Sequence, residues 1–517
     1  MAIISPPEGR QSDPVSISIH LRPPQVSELP ERFAATDPPR EWDLTRIPWV
    51  ASIVRSRKFQ FALILPNQII FWLVILSGLA GTIVPGLNFG TAITWYLWFC
   101  LVFVTMVVVG RAWCAMCPFG GLGEWIQRRT FWGRRDKHLG LGLKVPEPLA
   151  RYGFLISVGT FLLLTFIEEF YNISSPGAPA DTSWMVVGIV GSAIAFFLVF
   201  ERRSFCRYFC PLTALIGSVG AVGVAAGFRT RDRDICLTCQ TKECMRGGVE
   251  GYGCPWQTWP GSSETNLACG LCSECYKGCP SDNVGLFVQR PLTSVIAPRR
   301  RRADVAWSVV VLWGLVVYQQ INATDVYGSL DTWLNTHLHF PRYPNPIAYV
   351  AFIGIISLVT AGFAGVIGRV FAKPNLQLED RGSGFQERTS RFRSFFLPIS
   401  YGLIPLVGAD YFARQLPKFF LFVPRVIPAI GHPFGHGSIH SSLYNTSLLT
   451  GSGIVIAQIV VVILGFAASM WTMWRISERD LVPLSTRPLA VRISALAVVA
   501  VCAGAAAFLY AIIHAAT

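Results

Sequence analysis

Charge is what this sequence has least of. Only 14% of its 517 residues are Asp, Glu, Lys or Arg, where a soluble globular chain carries about a quarter. Acid is the scarcer sign, with 30 acidic against 44 basic residues and a net charge of +14. A chain so poor in charge cannot cover its surface for water, which excludes an ordinary soluble enzyme. Histidine (8) and methionine (7) are also few. No Cys-x-x-Cys-His occurs, so a covalently attached c-type haem is excluded. Residues 1–45 hold no apolar stretch long enough to insert, so no cleavable leader is expected. A net +14 in a soluble protein suggests nucleic acid; here the cations flank apolar runs, and no nucleic-acid partner is expected.

What is present instead is apolar length. Runs long enough to cross about 30 Å of hydrocarbon are read at 61–84, 90–110, 152–170, 184–201, 305–321, 347–368, 396–420, 453–474 and 493–513. A further candidate, 212–228, is short and rich in Gly, Ala and Val, and is expected to lie as a helix or hairpin at the membrane surface. The expected fold is therefore all-α and polytopic, with about nine transmembrane helices and the bilayer as main partner. Arginine alternates from loop to loop: Arg128, Arg129, Arg134, Arg135 and Arg299 to Arg302 lie on one side, Arg342 and Arg425 on the other. By the positive-inside rule this puts the N-terminus and every cysteine cluster on the cytoplasmic side. Trp184, Trp307, Trp333 and Trp474 fall near span ends and suit an interfacial belt.

The boundaries follow. Residues 1–58 are expected to form a cytoplasmic, Pro-rich, largely disordered tail; 59–228 a four-helix membrane domain; 229–290 a small cytoplasmic α+β, cysteine-rich insert; and 291–517 a five-helix membrane domain.

Fourteen cysteines are spaced as metal ligands rather than as disulfide partners. Cys269-x2-Cys272-x2-Cys275-x3-Cys279-Pro280 is the full run of a bacterial two-cluster ferredoxin. Iron in a cubane takes soft thiolates; three close cysteines wrap one cluster while the fourth reaches the other. The second run, Cys236-x2-Cys239-x4-Cys244-x9-Cys254-Pro255, carries extra residues before Cys244 and Cys254, and loop insertions are cheap in closure entropy. Crossed ligation assigns Cys236, Cys239, Cys244 and Cys279 to one [4Fe–4S] cluster and Cys254, Cys269, Cys272 and Cys275 to the other. A zinc ribbon, the competing use of paired C-x2-C, does not account for two C-P endings.

Two more pairs, Cys114-x2-Cys117-Pro118 and Cys206-x3-Cys210-Pro211, each follow a basic residue at a span end, and suggest an internal repeat. They could hold a third metal centre, relay electrons as thiols, or merely pack their turns. Cys100 and Cys502 read as core filler.

With those motifs on the page, the sequence resembles the NapH/NosR/CcoG group of membrane polyferredoxins over about residues 60–290. The resemblance implies a multi-pass protein of the bacterial cytoplasmic (inner) membrane. It would link the quinone pool or a cytoplasmic donor to a periplasmic or membrane redox partner in respiration, as an electron carrier or redox subunit rather than a stand-alone enzyme. The alternative implied is a copper-reducing or assembly factor for a terminal respiratory enzyme.

Five histidines fall in two loops on the opposite side: His337 and His339, then His432, His436 and His440. Imidazole suits copper, iron and zinc, so they are candidates for an additional metal or haem site, against the plainer reading of solvated loop residues. Within spans, Glu168, Glu169, Asp410 and Arg414 stand out. Intramembrane charge is costly; the plain reading is an i,i+4 ion pair between Asp410 and Arg414, the sharper one proton exchange at a quinol pocket.

Overall fold

The computed structural model describes residues 42–132, 139–298, 301–338, 344–373, 391–435 and 441–515. Among them, eight helices are long and apolar enough to cross a membrane, or nine when a pair bent by 42° is taken as one span. These are α2 (Phe59–Ala80), α3 (Phe89–Arg128, broken near its end), α4 (Gly153–Phe170) and α5 (Pro179–Val199). After the insert come α7 (Ala303–Ile321), α8 (Pro346–Phe371), the bent α9 (Arg391–Gly402 with Ile404–Gly431), α10 (Gly451–Ile476) and α11 (Pro488–Ala515). The segment 212–228 gives only a nine-residue helix, α6 (Leu212–Gly220), and then turns into a strand. That length rises about 14 Å, too little to span.

Leu163, Ile355 and Leu464 stay 60% or more exposed on their helices. A helix with a bare apolar flank and satisfied backbone is the form a bilayer accepts. α7 is the exception: 83% of its apolar window is buried, so it forms the centre of the second bundle, against α8, α4 and α9. α9 also touches α3 and α6, joining the second bundle to the first. Tyr411 on α9 stacks near Phe103 of α3 at 6.3 Å between ring centroids.

The insert is built on a three-stranded antiparallel sheet in the order β1-β3-β2 (β1 Trp42–Asp43, β2 Ala225–Thr230, β3 Val284–Val288). β1 and the helix α1 (Pro48–Arg55) come from the last part of the segment assigned above to an irregular tail. Both are ordered because they have partners. Val50 and Val54 of α1 pack on Phe228, Tyr276 and Val284, the Arg231 guanidinium meets Asp43 at 2.8 Å, and Arg55 lies 5.0 Å over the Tyr276 ring. Residues 1–41 lie outside the described residues.

Candidate iron–sulfur sites

The break in α3 that begins at Gly110 sets up everything below it. Gly110 has φ of +60°, and a Cβ there would stand 2.9 Å from the Asn266 amide nitrogen and 3.2 Å from the Gly220 carbonyl. Only glycine takes that backbone without strain. The break aims Arg111, Cys114 and Cys117 at the insert rather than onward along the axis.

Each pair then ends in the same way. Cys117 (φ −65°, ψ 125°) and Cys210 (φ −57°, ψ 123°) are extended where they precede proline. Proline bars the helical conformation to the residue before it and can itself begin the next helix. The cysteine is thereby turned off the helix axis. Cys114, Cys117, Cys206 and Cys210 come together, each within electrostatic range of others in the set. Ser157 donates to the Cys210 carbonyl at 2.7 Å and Thr213 to that of Cys206 at 2.6 Å. A Cβ on Gly120 would lie 3.2 Å from the Cys206 sulfur, so the backbone leaves this face open to the thiols.

The insert brings its cysteines into two neighbouring groups. Cys244 has Cys279, Cys236 and Cys239 around it. Together these four line a small cavity with Trp259, Pro280 and Val284. Cys254, Cys269 and Cys272 surround Cys275. Gly227, at φ +91°, lets the second strand pass Cys269, where a Cβ would lie 3.0 Å from the sulfur.

Polar donors already point at several sulfurs. The Asn283 amide reaches Cys236 Sγ at 3.4 Å, Thr230 Oγ1 stands 3.0 Å from it, and the Asn283 backbone N–H reaches Cys279 Sγ at 3.3 Å. The Thr258 N–H reaches Cys254 Sγ at 3.4 Å. Burial pushes the Cys244 thiol up to about 12 and the Cys210 thiol to about 11. The Cys272 and Cys275 thiols are raised by the same cause. Cys239 runs the other way, lowered by the Lys242 backbone N–H at its exposed edge. Thiols this buried become thiolates only when a metal takes the proton's place. Among the described residues, no three His, Cys, Asp or Glu side chains converge as ligands of a single ion do. Cubane ligands, one per corner, stand farther apart than that. All fourteen cysteines are free of disulfides.

The three sets adjoin one another. Cys206, Cys254, Cys272 and Trp256 share one buried cluster, with Cys114 and Cys210 at its edge. Cys244 and Cys275 share the next, with Cys269 and Cys279. The order runs from the helix ends, through the set holding Cys272, to the set holding Cys239 at the far side of the insert.

Two arginines bind the first joint. Arg203, its side chain 1% exposed, pairs with Glu124 at 2.5 Å and donates to the Cys114 carbonyl at 2.8 Å. Its charge also acts on Cys206 and Cys272. Arg111 donates to the Leu267 carbonyl at 2.6 Å and lies 4.4 Å over the Trp256 ring. Arg202 caps the Cys254 carbonyl at 2.7 Å. The basic residue before each pair thus positions the turn that carries the cysteines. The sequence holds the signal: Arg111-x-x-Cys114 and Arg203-x-x-Cys206 repeat at one spacing.

Of the five opposite-face histidines, His337 and His432 lie among the described residues. His337 is exposed, its Nδ1 2.8 Å from the Trp333 carbonyl. His432 is exposed and its backbone closes a turn to Gly435. His339, His436 and His440 lie outside the described residues. The expected ion pair of Asp410 with Arg414 does not form; Asp410 takes Gln320 instead, at 2.6 Å.

Comparison with known proteins bears on the helix-end pairs most directly. The family described as "4Fe-4S binding domain" matches residues 91–140 and 182–226, one segment for each C-P pair. An uncharacterized protein of Methanocaldococcus jannaschii is 23% identical over 189 residues, covering 35% of this chain and 74% of its own length. No solved structure matches. The chain is thus similar to iron–sulfur proteins of ferredoxin type, and the match supports an electron-transfer role carried by a membrane-spanning helical framework.

Proposed function

We propose that this protein is a membrane-embedded electron carrier with three [4Fe–4S] sites, held by Cys114, Cys117, Cys206 and Cys210; by Cys254, Cys269, Cys272 and Cys275; and by Cys236, Cys239, Cys244 and Cys279. Bound there, cubane clusters supply one-electron redox chemistry, and the protein supplies ligation, spacing and field. The observation that carries the reading is the contiguity of the sets, each sharing a buried cluster with the next. Arg203 and Arg111 place positive charge at the inner joint, and Asn283 and Thr258 donate to sulfurs of the insert. Cation and donor both stabilise the more negative state of whatever those thiolates hold.

The proposed setting is the bacterial cytoplasmic membrane with the insert on the cytoplasmic side, supported by the arginine pattern of the loops. The proposed path joins a quinol or cytoplasmic donor to a membrane or periplasmic acceptor. A polar cavity supports a donor site near the insert: Trp125 and Trp132 of the helix end face Tyr252, Glu274 and Lys277 across it. Glu274 and Lys277 flank Cys275 in sequence.

The test is anaerobic iron analysis with EPR on purified full-length protein. Twelve irons per chain, falling by about a third in Cys272→Ser and in Cys206→Ser separately, is expected. Eight irons, with Cys206→Ser unchanged, would reduce the helix-end set to thiols. Zinc without iron would overturn the reading altogether. Quinol oxidation and cupric reduction by the same preparation separate a respiratory carrier from a copper-handling factor.

A further inference from the structure

The second bundle holds a carboxylate that the iron–sulfur reading does not use. Asp410 is fully buried on α9. Its Oδ1 accepts from the Gln320 amide of α7 at 2.6 Å. Its Oδ2 is buried and has no hydrogen-bond partner, and neither has the equally buried Oε1 of Gln320. From α11, the Tyr510 hydroxyl donates to the Asp410 backbone carbonyl at 3.3 Å and lies close to both the Asp410 carboxyl and the Gln320 side chain, a neutral neighbour that brings no counter-charge. From α10, Gln458 donates to the Ala413 carbonyl at 3.1 Å. Arg414 and Tyr411 on the same helix act on this region only at longer range, and no described cation forms an ion pair with Asp410.

An ionised carboxylate in such a place loses its hydration and gains no counter-charge, which a protein of ordinary stability cannot sustain. A neutral acid resolves both orphans: a proton on Oδ2 turns a stranded acceptor into a donor, and the Gln320 Oε1 is an acceptor in want of one. The surroundings also lead outward. On the same helix as Gln320, Gln319 donates to Glu169 at 3.2 Å and Asn322 to the other Glu169 oxygen at 3.3 Å, and Glu169 lies within electrostatic range of Tyr411, the neighbour of Asp410. Glu169 is only half-buried, near the end of α4 remote from the cysteines. Beyond it Glu168 faces Lys418 at 3.9 Å, and Lys418 donates to Ser174 at 2.9 Å.

We propose that Asp410 is a proton-binding site of the second helix bundle, and that its proton exchanges with the membrane face opposite the cysteines by way of Glu169. No bond other than O–H is made or broken: water on that face yields a proton to Glu169, and the proton comes to rest on Asp410. A proton held there would offset the charge of electrons entering the chain.

The test reads the carboxyl directly, so its outcome is independent of the iron–sulfur assignment. Full-length protein in lipid nanodiscs is compared by infrared spectroscopy with Asp410→Asn and Asp410→Glu. A carboxylic-acid carbonyl band at neutral pH is expected, lost in Asp410→Asn and displaced in Asp410→Glu. Transfer into D2O should shift the band, and Glu169→Gln should slow that shift about tenfold or more, as loss of a hydrogen-bonded relay does. Aspartate labelled with 13C gives the same band assignment in unmutated protein should a variant fail to fold. The proposal fails if no acid band belongs to Asp410, if sodium ions abolish that band, or if Glu169→Gln exchanges as fast as the parent.

Discussion

Replacing Arg203 by Gln removes one buried positive charge at the joint between the helix-end cysteines and the insert. The Arg203 Nη1 and the Cys206 sulfur lie 3.4 and 3.2 Å from one point beside Gly120. Taking about 6 Å between charge and thiolate and an effective dielectric constant of about 20, Coulomb's law gives ~2.8 kcal/mol. At ~59 mV for each ~1.4 kcal/mol, a one-electron centre there should fall in midpoint potential by roughly 100 mV. The effect should be confined. Arg203 acts on Cys206 and Cys272, so the two sets containing them shift, while the set of Cys236, Cys239, Cys244 and Cys279 stays put. Folding stability should fall as well. Glu124 keeps Arg128 and Gln60, so the loss belongs at the low end of the ~3–5 kcal/mol for halving a buried ion pair. Anaerobic redox titration followed by EPR reads the potentials, and iron content confirms that the sites are filled. An equal shift in all three sets, or none with iron retained, would refute the argument that this guanidinium sets a local field.

Other outcomes follow from single residues. In iron-free protein, Cys239 should be alkylated first by iodoacetamide at neutral pH, because the Lys242 backbone N–H lowers its pKa while burial pushes Cys244 up to about 12; a lower pKa means more thiolate at a given pH. Peptide mass mapping that finds Cys244 modified first would contradict this. Gly227→Ala places a Cβ 3.0 Å from the Cys269 sulfur at φ +91°, and a side chain in a left-handed conformation costs about 1–2 kcal/mol. Iron should drop by about a third, from the set of Cys254, Cys269, Cys272 and Cys275, with the other EPR signals intact.

Much of this arrangement was open to reading in the chain. Apolar runs locate the spans because a bilayer demands a minimum length of satisfied backbone, and the bent α9 falls where the run at 396–420 placed one. Cys236, Cys239, Cys244 and Cys279 line one small cavity of the insert even though inserted residues separate Cys244 and Cys254 from the usual ferredoxin spacing. Other features were hidden because they depend on distant partners. Nothing near Trp42 or Val54 announces that they will meet Val288 and Val284, some 230 to 250 positions away. Asp410 and Arg414 sit at the spacing of a helical ion pair. The competing Gln320 comes from another helix, which no local periodicity reveals.

The strand order β1-β3-β2 has a practical consequence. The module's middle strand is Val284–Val288, and its flanks are supplied by Trp42–Asp43 and Ala225–Thr230. A fragment excised at 229–290 would therefore leave that middle strand bare on both sides except for Arg229 and Thr230, and strip the apolar face that Val50 and Val54 cover. Such an edge invites pairing between copies. The domain is clasped rather than threaded: anyone wishing to isolate it must begin the fragment by residue 225 and graft residues 42–58 back on, and whatever reaches the first span from the N-terminus pulls on the redox module before it pulls on the membrane.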